Sequence, residues 1–350
     1  MSEDAPKVLL GMTGGVDSSL SAWLLKRDGY QVVGVTLLFH DAPSIQKKIE
    51  HAKEVAETLG IEHHVVDLTE RFATEVKAQT VAGIEAGRFP FPCSICTPGL
   101  KNPALFECAR EYGCGKVATG HYARITTDEE FGVGLLDYQL RVPFDKHKDQ
   151  TYLLYRLTQE QLSRLIFPLA NIHKGVVRRM AMQHGVMQFA PVEDGQGTPC
   201  FFEDGSFAEW LEGEGGIEPR SGSIVSLVDA KKVGTHEGLH RYEPGQEVDG
   251  RFVITKDVER NELLVGPRNL ASFEMCQLNN VHWTSVEPPS KKRSCRARFT
   301  ADGHSVPVKI IPTADGVAVL INETMSGLVE GQDVVLYSDD LVLGGGIIAY

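Results

Sequence analysis

The order of apolar and polar positions in the first 157 residues is typical of strands that alternate with helices. Short apolar runs predict strands at residues 7–11, 32–38, 62–66 and 116–119, and helical spacing predicts helices at residues 19–28, 44–59 and 102–112. Such alternation indicates βαβ units. We therefore predict an α/β fold that begins with a doubly wound parallel sheet, in a domain spanning residues 1–157.

The pattern changes after residue 157. Helical spacing at residues 158–165 and 174–184 predicts a helical segment over residues 158–212, and the turn-rich stretch 212–222 follows it. Beyond that stretch, short β-type runs are separated by Gly, Pro and Asp. This spacing favours two small β-rich domains of barrel type, at residues 213–270 and 271–350.

Charge and cysteine content limit the classes of protein to which this chain can belong. The chain has 350 residues, with 35 Lys and Arg against 47 Asp and Glu, so its formal net charge is −12. That balance excludes a surface that is basic all over, but it allows a local basic groove. Seven cysteines, the absence of a signal-peptide pattern and the absence of a bilayer-spanning apolar run predict a cytoplasmic protein with reduced thiols and no membrane partner.

A glycine-rich loop follows the first predicted strand and leads directly into a helix. It consists of Gly11, Met12, Thr13, Gly14, Gly15, Val16, Asp17 and Ser18. Adjacent glycines let backbone N–H groups turn toward an anion, and the helix N-terminus adds partial positive charge. The lysine of a G-x-x-x-x-G-K-S/T loop is absent, which disfavours transfer of a γ-phosphate. We expect a phosphate-binding loop, with Asp17 as the nearest candidate carboxylate for magnesium.

A pair of cysteines lies in a proline-flanked segment that we predict to be a loop, Cys93-Ser94-Ile95-Cys96. A C-x-x-C pair is found in redox dithiols, in zinc sites and in iron–sulfur sites. No second metal-binding pair follows at zinc-finger spacing, which disfavours structural zinc. Cys200 lies in a second segment rich in Gly and Pro, and only folding brings it to the first pair.

These motifs resemble those of a known family. The segment GMTGGVDSS resembles the SGGxDS loop of the ATP-pyrophosphatase (PP-loop) superfamily, whose members split ATP into AMP and pyrophosphate. Further segments resemble, in the same order, those of the tRNA-specific 2-thiouridylases, the MnmA/TrmU family. They are Thr119-Gly120-His121-Tyr122, Lys148-Asp149-Gln150-Thr151-Tyr152, Pro199-Cys200-Phe201-Phe202, Lys256-Asp257-Val258-Glu259-Arg260-Asn261 and Gly344-Gly345-Gly346-Ile347-Ile348.

The resemblance implies an ATP- and Mg²⁺-dependent enzyme that adenylates O2 of the wobble uridine of tRNA and replaces that oxygen with sulfur. The sulfur donor is sulfide or a sulfur-carrier protein. The glycine-rich loop, Leu37 and Gly120 would then bind ATP, and Cys96 and Cys200 would be catalytic. The implied tRNA contacts are His121, Lys148, Asp149, Gln150, Arg296, Arg298 and Gln332.

The chain departs from the family pattern at Cys93, which stands where the family has Asp. Cys93, Cys96 and Cys200 therefore suit a four-iron, four-sulfur ([4Fe-4S]) cluster with one open iron that binds hydrosulfide. The alternative is the family's relay, in which a persulfide on Cys200 attacks C2 of the uridine and Cys96 releases the sulfur by forming a disulfide. We favour the cluster over the relay and over an inactive pair.

Two other functions remain open on the sequence alone. One is a PP-loop paralogue that modifies another base or a small molecule, which the altered cysteine segments motivate. The other is a non-catalytic protein that binds ATP and tRNA or senses through an iron–sulfur cluster.

Overall fold

The computed structural model of the chain describes residues 5–127, 134–186, 200–201 and 206–349. Its N-terminal part alternates strands and helices as expected. The elements are β1 (Lys7–Gly11), α1 (Val16–Arg27), β2 (Gln31–Leu38), α2 (Pro43–Leu59), β3 (Glu62–Asp67), α3 (Thr69–Phe72), α4 (Ala78–Glu85), α5 (Pro92–Cys96), α6 (Asn102–Glu111) and β4 (Lys116–Thr119).

Short elements connect this part to the β-rich half. They are β5 (Arg124–Thr126), β6 (Gln139–Arg141), α7 (Thr151–Leu154), α8 (Gln159–Arg164), β7 (Leu165–Ile166), α9 (Lys174–Gln183) and α10 (Phe207–Glu212). Among the described residues, no helix combines the length and the apolar character that crossing a bilayer requires.

The N-terminal sheet is parallel, with the strand order β3-β2-β1-β4-β7. Successive residues of β1 point to opposite faces: Leu10 packs with Ala22 and Ala52 from α1 and α2, whereas Leu9 packs with Leu105 of α6. Helices therefore cover both faces of the sheet. The predicted doubly wound architecture is confirmed.

The C-x-x-C segment is helical, so the predicted loop is wrong. Pro92 occupies the first position of α5, where its missing N–H costs nothing. A π-helical turn, Thr97–Lys101, then joins α5 to α6 in one continuous helix. The wider turn accommodates Pro98 inside this helix, where proline normally breaks an α-helix. Proline on both sides of the cysteines had indicated a loop, but it instead marks the start and the bulge of a helix.

The C-terminal half contains two β structures. A five-stranded sheet has the order β10-β11-β12-β8-β9, built from β8 (Gly222–Ser226), β9 (Lys232–His236), β10 (Glu247–Val248), β11 (Arg251–Asp257) and β12 (Glu262–Gly266). Six antiparallel strands form a second structure, with β13 (Ser272–Trp283), β14 (Arg293–Arg298), β15 (Val306–Thr313), β16 (Gly316–Ser326), β17 (Asp333–Ser338) and β18 (Leu341–Ala349). Pairing of β13 with β18 closes the latter into the expected small barrel.

The barrel is joined to the segment around α7 through buried polar groups. Tyr155 donates a hydrogen bond of 2.6 Å to the carboxylate of Asp333 on β17, and Tyr152 donates one of 2.8 Å to the Asp333 carbonyl. Burial raises the pKa of the Asp333 carboxyl group. A buried carboxylate that loses such a donor is left poorly solvated, so these contacts hold the two parts together.

We expect Tyr155→Phe to lower the free energy of unfolding by about 1–3 kcal/mol, because the buried Asp333 carboxylate loses its hydrogen bond. Denaturant titration monitored by circular dichroism measures the change. Tyr242→Phe is the matched control, since that half-buried ring packs against His236 away from this junction. Equal effects of the two substitutions would contradict the assigned role of Tyr155.

Candidate active site

Strand register determines where the candidate site forms. Gly11 at the end of β1 lies opposite Val35 of β2 on one side and Thr119 of β4 on the other. The chain order reverses across β1, and such a switch point at the carboxyl ends of parallel strands opens a crevice. A cavity of about 420 Å³ lies there, and the helix 92–111 and Cys200 also line it.

The backbone of the glycine-rich loop is held in its turn by hydrogen bonds to a side chain of the same loop. Ser18 is buried; its hydroxyl donates to the Gly15 carbonyl at 3.0 Å and accepts from the Thr13 N–H at 3.1 Å. Gly14 has a φ of +71°, and a Cβ there would lie 2.0 Å from the carbonyl oxygen of Lys48. Gly15 caps α1 without a side-chain hydrogen bond, so the N–H groups of that helix end are available to an anion.

Asp17 is held from two sides. One carboxylate oxygen accepts a hydrogen bond of 2.8 Å from the Tyr122 hydroxyl, and the other lies 2.6 Å from Nζ of the buried Lys174 on α9. Both oxygens are thus engaged within the protein. A carboxylate oxygen has two lone pairs, so these contacts leave room for a metal ion, and the use of Asp17 as a magnesium ligand stays a prediction.

Most residues predicted to bind ATP lie around this cavity. Gly120 approaches the loop closely: a Cβ on it would lie 3.0 Å from the Ser18 nitrogen and 3.1 Å from the Asp17 carbonyl carbon. The predicted residues that line the cavity are Gly11, Met12, Thr13, Asp17, Ser18, Leu37 and Gly120. Gly14, Gly15 and Val16 form the rest of the same turn.

Folding brings the three predicted cysteines to one cavity. Cys93 and Cys96 lie one turn apart on α5, and Cys200 reaches the same cavity from a distant segment. Phe201 anchors Cys200, since its ring packs against Phe72 and Trp210 with centroid separations of 5.6 and 4.6 Å. Pro199 and Phe202, which flank Cys200 and Phe201 in the family-like segment, lie outside the described residues.

The environment of these thiols keeps them protonated. Burial raises the pKa of Cys93 to about 11 and that of Cys96 to about 12, while the Lys101 ammonium opposes both shifts. Cys200 is exposed as a residue, yet surrounding protein atoms raise the pKa of its thiol as well. At neutral pH the free thiols are therefore weak nucleophiles.

The three thiols suit an iron–sulfur cluster by their donor chemistry. In the part of the chain that the structure describes, no three His, Cys, Asp or Glu side chains converge in a way that would hold a single metal ion. A [4Fe-4S] cluster takes each thiolate on a different iron, so its ligands surround a space instead of one point. Three thiols facing one cavity from two segments match that requirement.

The predicted tRNA contacts divide into two groups. His121 and Gln150 line the cavity, and Gln150 accepts a hydrogen bond of 2.9 Å from the Tyr122 N–H. Asp149 instead pairs with Arg298 at 2.6 Å, and both side chains are nearly buried. The structure does not bring Lys148, Arg296, Arg298 or Gln332 to the cavity wall, and Gln332 donates to the Phe299 carbonyl. Their roles toward tRNA stay predictions.

Comparison with known proteins agrees with this geometry. A family model described as "tRNA methyl transferase HUP domain" matches residues 6–204, and one described as "Aminomethyltransferase beta-barrel domain" matches residues 273–348. The tRNA-specific 2-thiouridylase MnmA of Nostoc punctiforme is 35% identical over 98% of this chain and 98% of its own length. That of Trichormus variabilis is 36% identical, with the same shares covered. The chain belongs to the tRNA-specific 2-thiouridylase family.

Two solved structures share part of the fold with this 2-thiouridylase family member at low identity. The U34-tRNA thiolase NcsA from Methanococcus maripaludis, with its [4Fe-4S] cluster, has a TM-score of 0.36 and 17% identity over 59% of this chain and 63% of its own. The NMN synthetase from Francisella tularensis has a TM-score of 0.33 and 17% identity over 54% and 67%.

Sequence reasoning missed one functional group of this 2-thiouridylase family member, Lys101. Its Nζ lies 3.1 Å from Nε2 of His121, and Nδ1 of His121 lies 2.7 Å from the Thr119 hydroxyl. Burial and Lys101 hold the pKa of His121 well below its usual range, so the ring is neutral and accepts from the lysine. Because the cysteine segment is predicted to be a loop, nothing in the sequence pattern indicates that Lys101 shares a helix with the cysteines.

We expect alkylation of Cys93 and Cys96 by iodoacetamide in iron-free protein to accelerate about tenfold per pH unit from about pH 7 to about pH 10. Raised pKa values keep the thiolate fraction small and rising throughout this range. Peptide mass spectrometry measures each rate. The denatured chain should level off near the ordinary thiol pKa of about 8.5. A plateau below about pH 9 in the folded protein would contradict the described burial.

Proposed function

We propose that the protein is an ATP-dependent tRNA uridine 2-sulfurtransferase that converts the wobble uridine of tRNA to 2-thiouridine. The observation that carries this proposal is a single cavity in which an anion-binding loop faces three cysteine thiols. Activation of an oxygen by ATP and its replacement by sulfur need these two groups within reach of one base. The family, matched over nearly the whole chain, supports the same reaction.

In the first step, O2 of the uridine attacks the α-phosphorus of ATP, and pyrophosphate leaves. The N-terminus of α1 and the N–H groups of the glycine-rich loop stabilise the departing anion. In the second step a sulfur nucleophile attacks C2, the bond from C2 to O2 breaks, and AMP carries the oxygen away. Adenylation thus turns a poor leaving group into a good one.

Magnesium enters this proposal with ATP. A triphosphate binds Mg²⁺ through its own oxygens, and proteins commonly add only one or two ligands. Tyr122 and Lys174 orient Asp17 in the loop, where it stays the candidate carboxylate for the metal. The hydroxyl groups of Thr13 and Ser18 remain in the loop, 3.3 Å apart, to contact phosphate.

For sulfur delivery we propose that Cys93, Cys96 and Cys200 hold a [4Fe-4S] cluster. Bound by three thiolates, such a cluster offers one open iron to a sulfur ligand. The presence of Cys93 beside the two family cysteines supports this assignment over the persulfide relay, which needs only Cys96 and Cys200. Lys101 lies among the thiols and, with its positive charge, compensates the negative charge of bound thiolates.

We expect Gly120→Ala to weaken binding of ATP by at least about tenfold, since the added Cβ would press against the backbone of Asp17 and Ser18. Isothermal titration calorimetry on the full chain measures the affinity, and thermal unfolding verifies the fold. Gly115→Ala, at the opposite end of the same strand, is the control because open space surrounds it. Unchanged affinity in the Gly120 variant would place the nucleotide elsewhere.

We expect anaerobically purified protein to form 2-thiouridine from unmodified tRNA, ATP, Mg²⁺ and sulfide, as measured by mass spectrometry of digested tRNA. Cys96→Ala and Cys200→Ala should abolish the product under either sulfur chemistry. Cys93→Ser separates the two: loss of both product and bound iron supports the cluster, whereas an iron-free variant that thiolates tRNA with a persulfide donor, and not with sulfide, supports the relay.

Cys295→Ser is the control for these variants, because Cys295 lies on β14 of the barrel. Absence of 2-thiouridine from a preparation that binds ATP and carries its cluster would contradict the proposed function. Release of pyrophosphate that does not depend on tRNA would then favour a paralogue with another substrate.

A further inference from the structure

One aromatic side chain, six residues before Gln150 of the cavity wall, lies open to solvent. Phe144, in the connection between β6 and α7, is 68% exposed. It is the only aromatic residue among the strongly exposed large apolar side chains of the described residues. A single exposed apolar side chain is common on protein surfaces, so the groups around Phe144 decide whether it has a role.

The turn that carries Phe144 is firmly held. The Phe144 N–H donates a hydrogen bond to the Ala170 carbonyl at 2.9 Å. The next residue, Asp145, is buried, and its carboxylate accepts from the N–H groups of His147 at 3.3 Å and Lys174 at 2.9 Å. The aromatic ring is therefore presented to solvent by a fixed backbone.

The surroundings of Phe144 are basic on an acidic protein. Lys146, His147 and Arg179 are exposed, and the exposed His173 lies 3.5 Å from the buried Asp145. Residues 161–186 contain no Asp or Glu, although the chain has 47 of them and a net charge of −12. This distribution favours a polyanion at this surface.

A short stretch of chain connects this surface with the cavity. From Phe144 the chain runs through a 3-10 turn, Lys146–Lys148, to Gln150, which lines the cavity. Six residues span at most about 20 Å even when fully extended, and the turn shortens that path. Other nucleotides of a loop whose base enters the cavity thus come within reach of the aromatic ring.

We propose that Phe144 stacks on an unpaired base of the RNA loop whose target uridine enters the cavity, while Lys146 and its basic neighbours contact the loop phosphates. Proteins that bind single-stranded RNA commonly pair stacking aromatic rings with a cationic groove. This inference rests on the proposed function, since it assigns a contact for the same substrate.

The test is binding of an anticodon stem–loop RNA to the full-length protein, followed by thiolation kinetics. Phe144→Ala should weaken binding about 5- to 100-fold, whereas Phe144→Trp should retain it. The loss should raise KM for the RNA and leave kcat unchanged. Val228→Ala, at a 69% exposed apolar position in the five-stranded sheet region, is the matched control.

RNA with an abasic nucleotide beside the target uridine identifies the stacked base. When the missing base is the one that stacks on Phe144, wild type should bind the abasic RNA as weakly as Phe144→Ala binds the intact RNA. Phe144→Ala should then bind the abasic RNA little more weakly still.

An unchanged affinity of Phe144→Ala, with wild type that binds and thiolates the RNA, overturns the stacking contact alone. An effect of Phe144→Ala on self-association in sedimentation, without an effect on RNA, also overturns it. Wild type that neither binds nor thiolates the RNA overturns the proposed function together with it.

Discussion

Parallel pairing of β1 with β2 on one side and β4 on the other is the constraint on which the site depends. Gly11 lies level with Val35 and Thr119, so the segments that follow these strands emerge at the same edge of the sheet. Side-chain packing specifies this register, because Leu9 and Leu10 pack against helices on opposite faces. A slip of one residue would exchange those faces and separate the glycine-rich loop from Gly120.

A second local feature determines which groups face the loop. In an α-helix, a residue five positions after Cys96 would point about 140° away from it. The π-helical turn Thr97–Lys101 has more residues per turn, so Lys101 rotates back toward the side that carries Cys93 and Cys96. A single inserted residue in a helix thereby places an ammonium group next to the buried thiols of Cys93 and Cys96.

Short sequence patterns predicted the features that depend on neighbouring residues alone, namely strands, helices and a glycine-rich turn. Alternating apolar runs identified β1 to β4, and the loop around Gly14 followed from backbone freedom and helix-end charge. Contacts across long stretches of chain were not predictable in this way. The pairing of Arg141 on β6 with Leu341 on β18 joins an early hairpin to the C-terminal barrel, and nothing in either segment encodes it.

The same limit applies to charged groups. Arg298 and Asp149 both matched family positions linked to tRNA, yet in the fold they are buried against each other at 2.6 Å. A motif identifies residue types, whereas burial and pairing decide whether a charge is offered to a ligand. For Cys200, folding supplies a contact that the motif does not indicate. Its sequence segment says nothing of its position, and the fold places it beside Cys93 and Cys96.

The charge distribution connects the cavity with the surface around it. Of the described residues that line the cavity, Asp17 is the only carboxylate, and Tyr122 and Lys174 occupy both of its oxygens. Lys48 and Lys101 add positive charge there, while the remaining chain is strongly acidic. Like charge over much of the remaining chain disfavours other orientations of a polyanion, in the same sense as the cavity favours one. An overall negative charge is thus compatible with a polyanionic substrate, because the uneven distribution of charge on the protein orients the substrate.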